Sequence, residues 1–251
     1  MNKQDDLLKN RLIELSRIAY EREISTFTDY LNLSEIDTLV CIPKNELYSK
    51  YELYGGYEYA ERQMISFVPD ALCYENIYPI SALKVEVKAL KYSEELTHRD
   101  YLGSLLGLGL DRSKIGDILI LDTHTVIFVH ECIANYVIEH FNKVKHTYIL
   151  TSKLESCDLQ FKPKFQEIKG TVASIRLDSI LSLIMKESRS KLIKLIEGGK
   201  VYVNGRLITT NAYKLSEQDL ISVRGHGKYQ YDSLISTTKK DRLLVTVKKF
   251  I

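Results

Sequence analysis

Helical and strand spacings alternate along the first 150 residues of the chain. From Leu7 to about Asn32, apolar side chains recur every three or four positions, which predicts an amphipathic helix. A short apolar strand at Met64–Pro69, ended by proline, follows a tyrosine-rich stretch. We therefore predict a small N-terminal α/β domain over residues 1–75. The predicted buried face of its helix consists of Leu8, Leu12, Leu15, Ile18 and Ala19.

A central α/β domain is predicted over residues 76–150, because strand and helix patterns alternate there. Apolar and charged residues alternate from Ala82 to Leu90, as in a strand with one solvated face. We expect the first helix of this domain to bury Tyr101, Leu102, Leu105 and Leu106. One arrangement compatible with this order of elements is the ferredoxin-like fold. The helical patterns cover 97–108 and 131–143, and further short strands cover 118–121, 126–129 and 147–150.

In the last third of the chain, the residue pattern predicts two helices followed by strands. Residues 151–169 are polar, and we interpret them as a linker with room for one strand. Helical spacing begins at Arg176 and again at Arg189, and Gly198-Gly199 ends the second helix. Asn204-Gly205 predicts a hairpin turn because both residues tolerate positive φ. The whole chain is thus predicted to be α+β, with a third domain over 170–251 that packs two helices on a small sheet.

Basic charge is concentrated in this third domain. Although the formal net charge of the chain is only +2, residues 169–251 contain eleven lysines and five arginines against seven acidic residues, a net charge of +9. The preceding residues carry −7. Such asymmetry is typical of a module that binds a polyanion. Lysines that serve only solubility are the alternative, and the placement of the basic side chains distinguishes the two.

The start of the second predicted helix of this domain favours an anionic ligand. Ser188 is in the position of an N-cap, yet Arg189 and Lys191 lie in the first turn. Cations there oppose the helix dipole, at a cost of roughly 0.3–1 kcal/mol each at low salt. Free N–H groups together with two cations suit a phosphate. The alternative is that both side chains point into solvent, where salt screens the cost.

The third domain also carries an ordered series of motif residues over about sixty positions. They are Arg176-Leu177-Asp178, Ser188-Arg189, Leu192-Ile193-x-x-Ile196, Gly199-x-Val201-x-Val203-Asn204-Gly205 and Asp219-x-Ile221-Ser222-Val223-Arg224-Gly225-x-Gly227-Lys228. This series resembles the S4-type RNA-binding domain, the αL motif of ribosomal proteins, pseudouridine synthases and tyrosyl-tRNA synthetases. The resemblance implies RNA-facing positions at Arg176, Ser188, Arg189, Lys191, Arg206, Arg224 and Lys228, with Lys194 and Lys200 extending the patch. His226, between two glycines in the same loop, is a candidate for base stacking or phosphate contact.

Motifs further upstream indicate a more specific family. Gly55-Gly56-Tyr57-x-x-Ala60-Glu61-Arg62 is followed by a block from Leu96 to Leu119 that contains His98-Arg99-Asp100 and Gly116-Asp117. Together they are similar to the bacterial YlmH family. That resemblance covers nearly the whole chain and implies an N-terminal domain, a central α/β domain and an S4-type domain. It also implies a second candidate RNA face formed by Arg99, Arg112 and Lys114.

The family resemblance implies a role in ribosome-associated quality control. Its members bind stalled large ribosomal subunits that carry peptidyl-tRNA and support C-terminal tailing of the stuck chain. We therefore expect a non-enzymatic factor whose partners are ribosomal RNA of the large subunit, tRNA and other quality-control factors. The alternatives are an RNA-modifying enzyme such as a pseudouridine synthase and a cell-division-linked scaffold. The sequence offers no convincing catalytic-loop Asp for the enzyme, and the concentrated charge disfavours the scaffold.

Composition and the absence of certain motifs exclude several classes of protein. No two cysteines form a CxxC pair, so we expect no zinc ribbon and treat the four cysteines as small buried residues. We also expect no cofactor. The chain has no apolar run of membrane-spanning length and no signal-peptide-like core at its start. We therefore expect a soluble cytoplasmic monomer that does not contact a membrane.

Overall fold

The computed structural model describes residues 3–69, 76–88, 95–154, 165–238 and 241–250. The chain divides into two compact units, Met1–Phe161 and Lys162–Ile251. Six α-helices and fourteen strands in three sheets occur within the described residues, and the strands of each sheet pair antiparallel. The protein is therefore α+β, as predicted. No helix in the described part is long and apolar enough to cross a membrane.

A small three-stranded sheet with two helices opens the first unit. Its elements are α1 (Lys3–Arg22), β1 (Thr26–Phe27), α2 (Leu33–Val40), β2 (Lys50–Tyr54) and β3 (Met64–Val68), with strand order β1-β3-β2. Leu12, Leu15 and Ala19 of α1 are buried in one cluster with Phe67 of β3. The prediction that the first helix reaches Asn32 is wrong. The helix ends because Glu23 takes a left-handed conformation (φ 53°) and turns the chain towards β1.

The central part of the first unit is a five-stranded sheet with two helices on one face. Its elements are β4 (Ile80–Val87), α3 (His98–Gly107), β5 (Ile115–Ile120), β6 (Thr125–His130), α4 (Glu131–His140), β7 (Lys143–Val144) and β8 (Thr147–Lys153). The sheet order is β5-β6-β4-β8-β7. The succession β4-α3-β5-β6-α4-β8 with this order is ferredoxin-like. Leu105 of α3 and Val137 of α4 are fully buried against the sheet.

Both helices of the central part begin where the sequence predicted, but α4 ends at 140 rather than 143, and not every side chain lies as predicted. The Asp100 carboxylate accepts hydrogen bonds from the Thr97 N–H (2.8 Å) and hydroxyl (2.7 Å) at the start of α3. At the start of α4, His130 Nδ1 accepts from the N–H of Cys132 (3.1 Å). Leu106 is 40% exposed, so its predicted inward position is wrong.

The cysteines also differ from the prediction. Cys41 and Cys132 are exposed rather than buried. Cys41 directly follows the last residue of α2 and Cys132 lies in the first turn of α4, so neither belongs to a buried face. Cys73 and Cys157 lie outside the described residues.

The second unit packs two helices on a six-stranded sheet. Its elements are β9 (Phe165–Val172), α5 (Leu177–Met185), α6 (Arg189–Glu197), β10 (Val201–Val203), β11 (Arg206–Leu207), β12 (Leu220–Val223), β13 (Gly227–Thr237) and β14 (Leu243–Phe250), in the order β11-β10-β12-β13-β14-β9. Leu181 and Ile196 of the helices share one core with Val201 and Ile221 of the sheet. The polar segment 151–169, predicted to be a linker with room for one strand, contains the end of β8 and the start of β9, and β9 pairs with β14 along its whole length.

Candidate nucleic-acid interface

Eight of the ten candidate RNA-binding residues of the second unit fall into two groups by element. Val201, Val203 and Val223 point into the core that holds α5 and α6. Because successive strand residues alternate between faces, the residues between them lie on the opposite, outer face of the sheet. The helical group comprises Arg176, Ser188, Arg189, Lys191 and Lys194, and the outer sheet group comprises Lys200, Arg224 and Lys228.

Arg176 is held in place by a buried carboxylate. It is the N-cap residue of α5, and its guanidinium donates from Nε to Asp178 Oδ1 (3.1 Å) and from Nη2 to Asp178 Oδ2 (2.9 Å). The Asp178 side chain is 4% exposed, whereas that of Arg176 is 37% exposed. A bidentate pair of this kind fixes the orientation of the arginine plane. Arg176 lines an open cleft of about 420 Å³ together with Ser179, Arg242 and other residues.

The start of α6 is less well suited to bind an anion than the site around Arg176. Ser188 is the N-cap residue, as predicted, but its side chain makes no capping hydrogen bond. The ammonium of Lys191 lies 2.5 Å from Glu187 Oε1, so a neighbouring carboxylate already offsets one of the two cations. Lys194 is exposed on the same helix. Arg189 opens α6, and its side chain lies outside the described residues.

The outer face of the sheet gathers cations around one tyrosine. The N–H of Arg224 donates to the carbonyl of Lys200 (2.9 Å), which places these two exposed residues opposite each other. In the next row, Tyr202 pairs with Ser222, which in turn pairs with Lys228. The Arg224 guanidinium lies over the Tyr202 ring at 5.1 Å from its centroid. We call Lys200, Tyr202, Arg224 and Lys228 the S4 sheet face.

Tyr202 was not among the residues expected to face RNA. The signal was present in the sequence, because Lys200 and Tyr202 alternate with the apolar Val201 and Val203. What the alternation does not reveal is that Arg224, more than twenty positions later, lies over this ring. That placement depends on the pairing of β10 with β12.

A tight turn presents His226 beside this face. Gly225 and Gly227 both have positive φ (81° and 101°), a conformation that residues with a Cβ rarely adopt. His226 between them is exposed, and its carbonyl accepts a hydrogen bond from the Tyr229 hydroxyl (2.9 Å). Arg206, on the short edge strand β11, is exposed as well.

In the first unit, the three residues of the second candidate RNA face differ in their contacts. Arg99 is exposed in the first turn of α3. Arg112 donates from Nη1 to the carbonyl of Ile115 and also approaches that of Gly116 (3.4 Å), and burial lowers its pKa to about 10. Lys114 forms an ion pair with Asp29 (2.6 Å). The structure therefore gives two of these three cations partners inside the fold.

Those partners belong to a joint between the N-terminal sheet and the central sheet. The Asp117 carboxylate accepts from the Tyr57 hydroxyl (2.9 Å), the Glu61 N–H (2.7 Å) and the Arg62 N–H (3.2 Å), and burial raises its pKa. Arg62 in turn donates from Nε to the carbonyl of Ile115 (2.9 Å) and from Nη2 to that of Tyr30 (2.9 Å). The upstream motif residues thus hold two sheets together.

The described residues contain no group of three or more His, Cys, Asp or Glu side chains placed to hold a metal ion. The chemistry that the candidate interface offers is therefore that of cations, hydroxyls and aromatic rings. Such groups contact phosphates and bases.

Comparison with known proteins identifies two domains. Residues 75–160 match the family model described as "Putative RNA-binding domain in YlmH", and residues 175–221 match the model of the S4 domain. The "Ribosome-associated protein quality control protein P2" of Bacillus subtilis (strain 168) is 28% identical over 244 residues, which cover 96% of this chain and 93% of that protein. A solved structure, "Cell division protein ylmH from Streptococcus pneumoniae", shares the fold with a TM-score of 0.50 at 18% identity, over 61% of this chain and 93% of that one.

Proposed function

We propose that this chain, a YlmH-like protein with an S4 domain, is a non-enzymatic factor that binds ribosomal RNA of the large subunit and its bound tRNA. We further propose that it acts in quality control of stalled nascent chains by supporting their C-terminal tailing. This work takes place at ribosomes, hence in the cytoplasm, and its partners include other quality-control factors.

The observation that carries this proposal is the S4 sheet face. Lys200, Arg224 and Lys228 are held by a backbone ladder around Tyr202, so the spacing of their backbone positions is set before RNA binds. Basic groups on a rigid element suit structured RNA, because an A-form helix is recognised by its shape, phosphates and 2′-hydroxyls. On the helical layer, the guanidinium of Arg176 is oriented in the same way by Asp178.

The ribosomal target is supported by the similarity to the Bacillus subtilis protein, which extends over nearly the full length of both chains. Charge alone gives binding that is indiscriminate and fades with salt. A specific ribosomal site should persist at moderate salt and saturate at one copy per subunit. We expect the protein to bind more strongly when stalled subunits retain tRNA.

A pseudouridine synthase is the alternative, since S4 domains are often joined to such enzymes. Asp117, a buried carboxyl with a raised pKa, is the natural candidate for catalysis in the first unit. Its oxygens, however, accept hydrogen bonds from Tyr57, Glu61 and Arg62 in the joint between the two sheets. That arrangement favours a structural role and supports the binding factor over the enzyme.

Co-sedimentation with ribosomal particles tests the proposal. The full chain should sediment with large subunits, and a chain ending at Phe161, the last residue of the first unit, should not. Arg224→Glu should weaken binding and flatten the dependence of log affinity on log salt by about 0.7–0.9 for each phosphate that the protein no longer neutralises.

The matched control is Lys169→Glu, which makes the same change of charge in the same unit. Lys169 is exposed on β9, at the far edge of the sheet from β10, and pairs with Glu167. This variant should bind like the parent. Equal binding to small subunits, or retention by the chain ending at Phe161, would contradict the proposal.

A further inference from the structure

Within the part of the chain that the structure describes, the outer face of the central sheet is covered at only one end. Opposite the face that packs α3 and α4, the ring of Tyr57 stacks on Phe128 of β6, with 5.2 Å between centroids and 17° between planes. Ala82 of β4 is buried in the same cluster. A Cβ on Gly56 would lie 2.3 Å from Phe128 Cδ1, so the N-terminal segment approaches this end as closely as its backbone permits. No base can stack on Phe128 while Tyr57 occupies it.

At the other end of the same face, Tyr148 and Leu150 of β8 are 62% and 53% exposed. They alternate with the buried Thr147, Ile149 and Thr151, so both point away from the helices. Exposed large apolar side chains are common singly, but two adjacent ones on a sheet face suggest a contact surface.

Lysines flank Tyr148 on both neighbouring strands. On β7, Lys143 pairs directly with Tyr148, and its ammonium lies 5.2 Å from the centroid of the ring. On the other side, the N–H of Lys88 donates to the Tyr148 carbonyl (3.1 Å) and continues the ladder of β4. Directly opposed residues of antiparallel strands share a face. We call Lys88, Tyr148 and Lys143 the lysine–tyrosine row.

The charge of this row is not cancelled by the acidic residue nearest to it on β4. Glu86 lies two positions before Lys88 and forms an ion pair with Lys84 at 2.7 Å. Lys88 and Lys143 are exposed. The surface therefore combines an aromatic ring with an excess of positive charge, which complements a strand of nucleotides better than an apolar peptide.

We propose that the lysine–tyrosine row binds single-stranded RNA, with a base stacked on Tyr148 and the adjoining phosphates at Lys88 and Lys143. Aromatic side chains between basic residues are how proteins hold unpaired nucleotides, since every base offers a π-face. A duplex hides those faces, so the row selects for unpaired RNA. The lysine now over the ring moves to a phosphate, because base stacking is stronger than an exposed lysine–ring contact. The inference rests on the proposed function only in taking RNA as the ligand.

Binding of a short fluorescent oligouridylate to the full chain tests this inference. Tyr148→Ala should weaken binding by about 5- to 150-fold, the range that corresponds to removal of one stacked base. Tyr148→Phe should keep most of the affinity because it keeps the ring. Lys88→Gln with Lys143→Gln should weaken binding and flatten its salt dependence, by about 0.7 for each phosphate of a single strand that is no longer neutralised.

Tyr136→Ala is the matched control. Tyr136 is also exposed (42%), but it lies on α4, at the opposite face of the sheet, with its ring against His140. It should bind oligouridylate like the parent. Equal losses for Tyr148→Ala and Tyr136→Ala would overturn the inference, as would a chain that does not bind oligouridylate at all.

The two proposals fail separately. Arg224→Glu should weaken binding to large subunits while leaving most of the oligouridylate affinity, and Tyr148→Ala should leave the bulk of the subunit affinity intact. Loss of oligouridylate binding only in Arg224→Glu would overturn the lysine–tyrosine row and leave the S4 sheet face as the RNA site. Thermal melting of each variant checks that the fold is retained, which we expect for exposed positions.

Discussion

On two sheet faces of this protein a basic side chain lies over a tyrosine ring, but the surroundings of the two rings differ. On the S4 sheet face, Arg224 lies over Tyr202, and in the lysine–tyrosine row Lys143 lies over Tyr148. In the second unit, the helices α5 and α6 cover one face of β10 and β12 and leave the other to solvent. In the first unit, α3 and α4 cover one face of the central sheet, and Tyr57 and its neighbours cover one end of the other face. How much of each sheet face stays exposed is therefore decided by what the chain packs against it.

The largest effect should appear when the two sheets are produced in separate fragments of the chain. A fragment covering Lys162–Ile251 should fold alone, because it includes β9, β14 and its own core. A fragment covering 76–161 should not, since removal of the N-terminal sheet exposes Phe128 and leaves Asp117 without its partners. Dispersed amide signals and cooperative melting measure this. A well-folded 76–161 fragment would show that the N-terminal sheet is not needed to cover the central one.

A smaller but still large loss is expected from Asp117→Ala. The substitution leaves three donors of the joint without their acceptor and should lower the free energy of unfolding of the first unit by about 3 kcal/mol. Denaturant titration followed by a first-unit probe measures it. Lys84→Ala, which removes one partly exposed ion pair, is the control and should cost about 1 kcal/mol or less.

Asp117 also predicts a pH dependence. Burial raises the pKa of its carboxyl in the folded state above the ordinary value of 3.8. Between the unfolded and the folded pKa, the folded state therefore holds more protons. The stability of the first unit should fall as pH rises through this window. Asp117→Asn should remove that contribution, which melting at several pH values would reveal. An unchanged slope would mean that the carboxyl titrates alike in both states.

In the second unit, Asp178→Asn should act mainly on RNA binding. It weakens the bidentate contact that orients Arg176. We expect a several-fold loss of affinity for large subunits and a stability loss of about 1–2 kcal/mol. Isothermal titration and melting separate the two effects. Unchanged affinity in Asp178→Asn would show that orientation of Arg176 by this carboxylate is not critical.

The smallest effect of a single substitution is expected at the start of α6. Because Lys191 already pairs with Glu187, Lys191→Glu should reduce affinity less than Arg224→Glu does. The double variant Arg189→Glu with Lys191→Glu should flatten the log–log salt dependence by roughly 1.4–1.8 if both contact phosphates. Unchanged slope and affinity would show that the pair faces bulk solvent.

Features that depend on neighbours in the chain were predictable from the sequence alone. The spacing of apolar residues identified α3, α5 and α6. Asn204-Gly205 predicted the turn that follows β10, where both residues have positive φ (48° and 78°). These features are governed by interactions within a few residues, which is the range over which propensity, capping and turn chemistry act. The motif resemblance likewise identified the RNA-binding class of the third domain, which the S4 match confirms.

What only the tertiary structure decided is which side chains meet across the sheets. Tyr57 and Asp117 are 60 positions apart, and Lys114 meets Asp29 over 85, so the engagement of these motif residues in a joint depends on long-range packing. The same is true of the rows on both sheet faces, because Tyr202 meets Arg224, and Tyr148 meets Lys88, only through strand register. Alternation within a strand says which side chains share a face. Register, which is set by turns, bulges and burial elsewhere in the fold, decides which charges surround a ring.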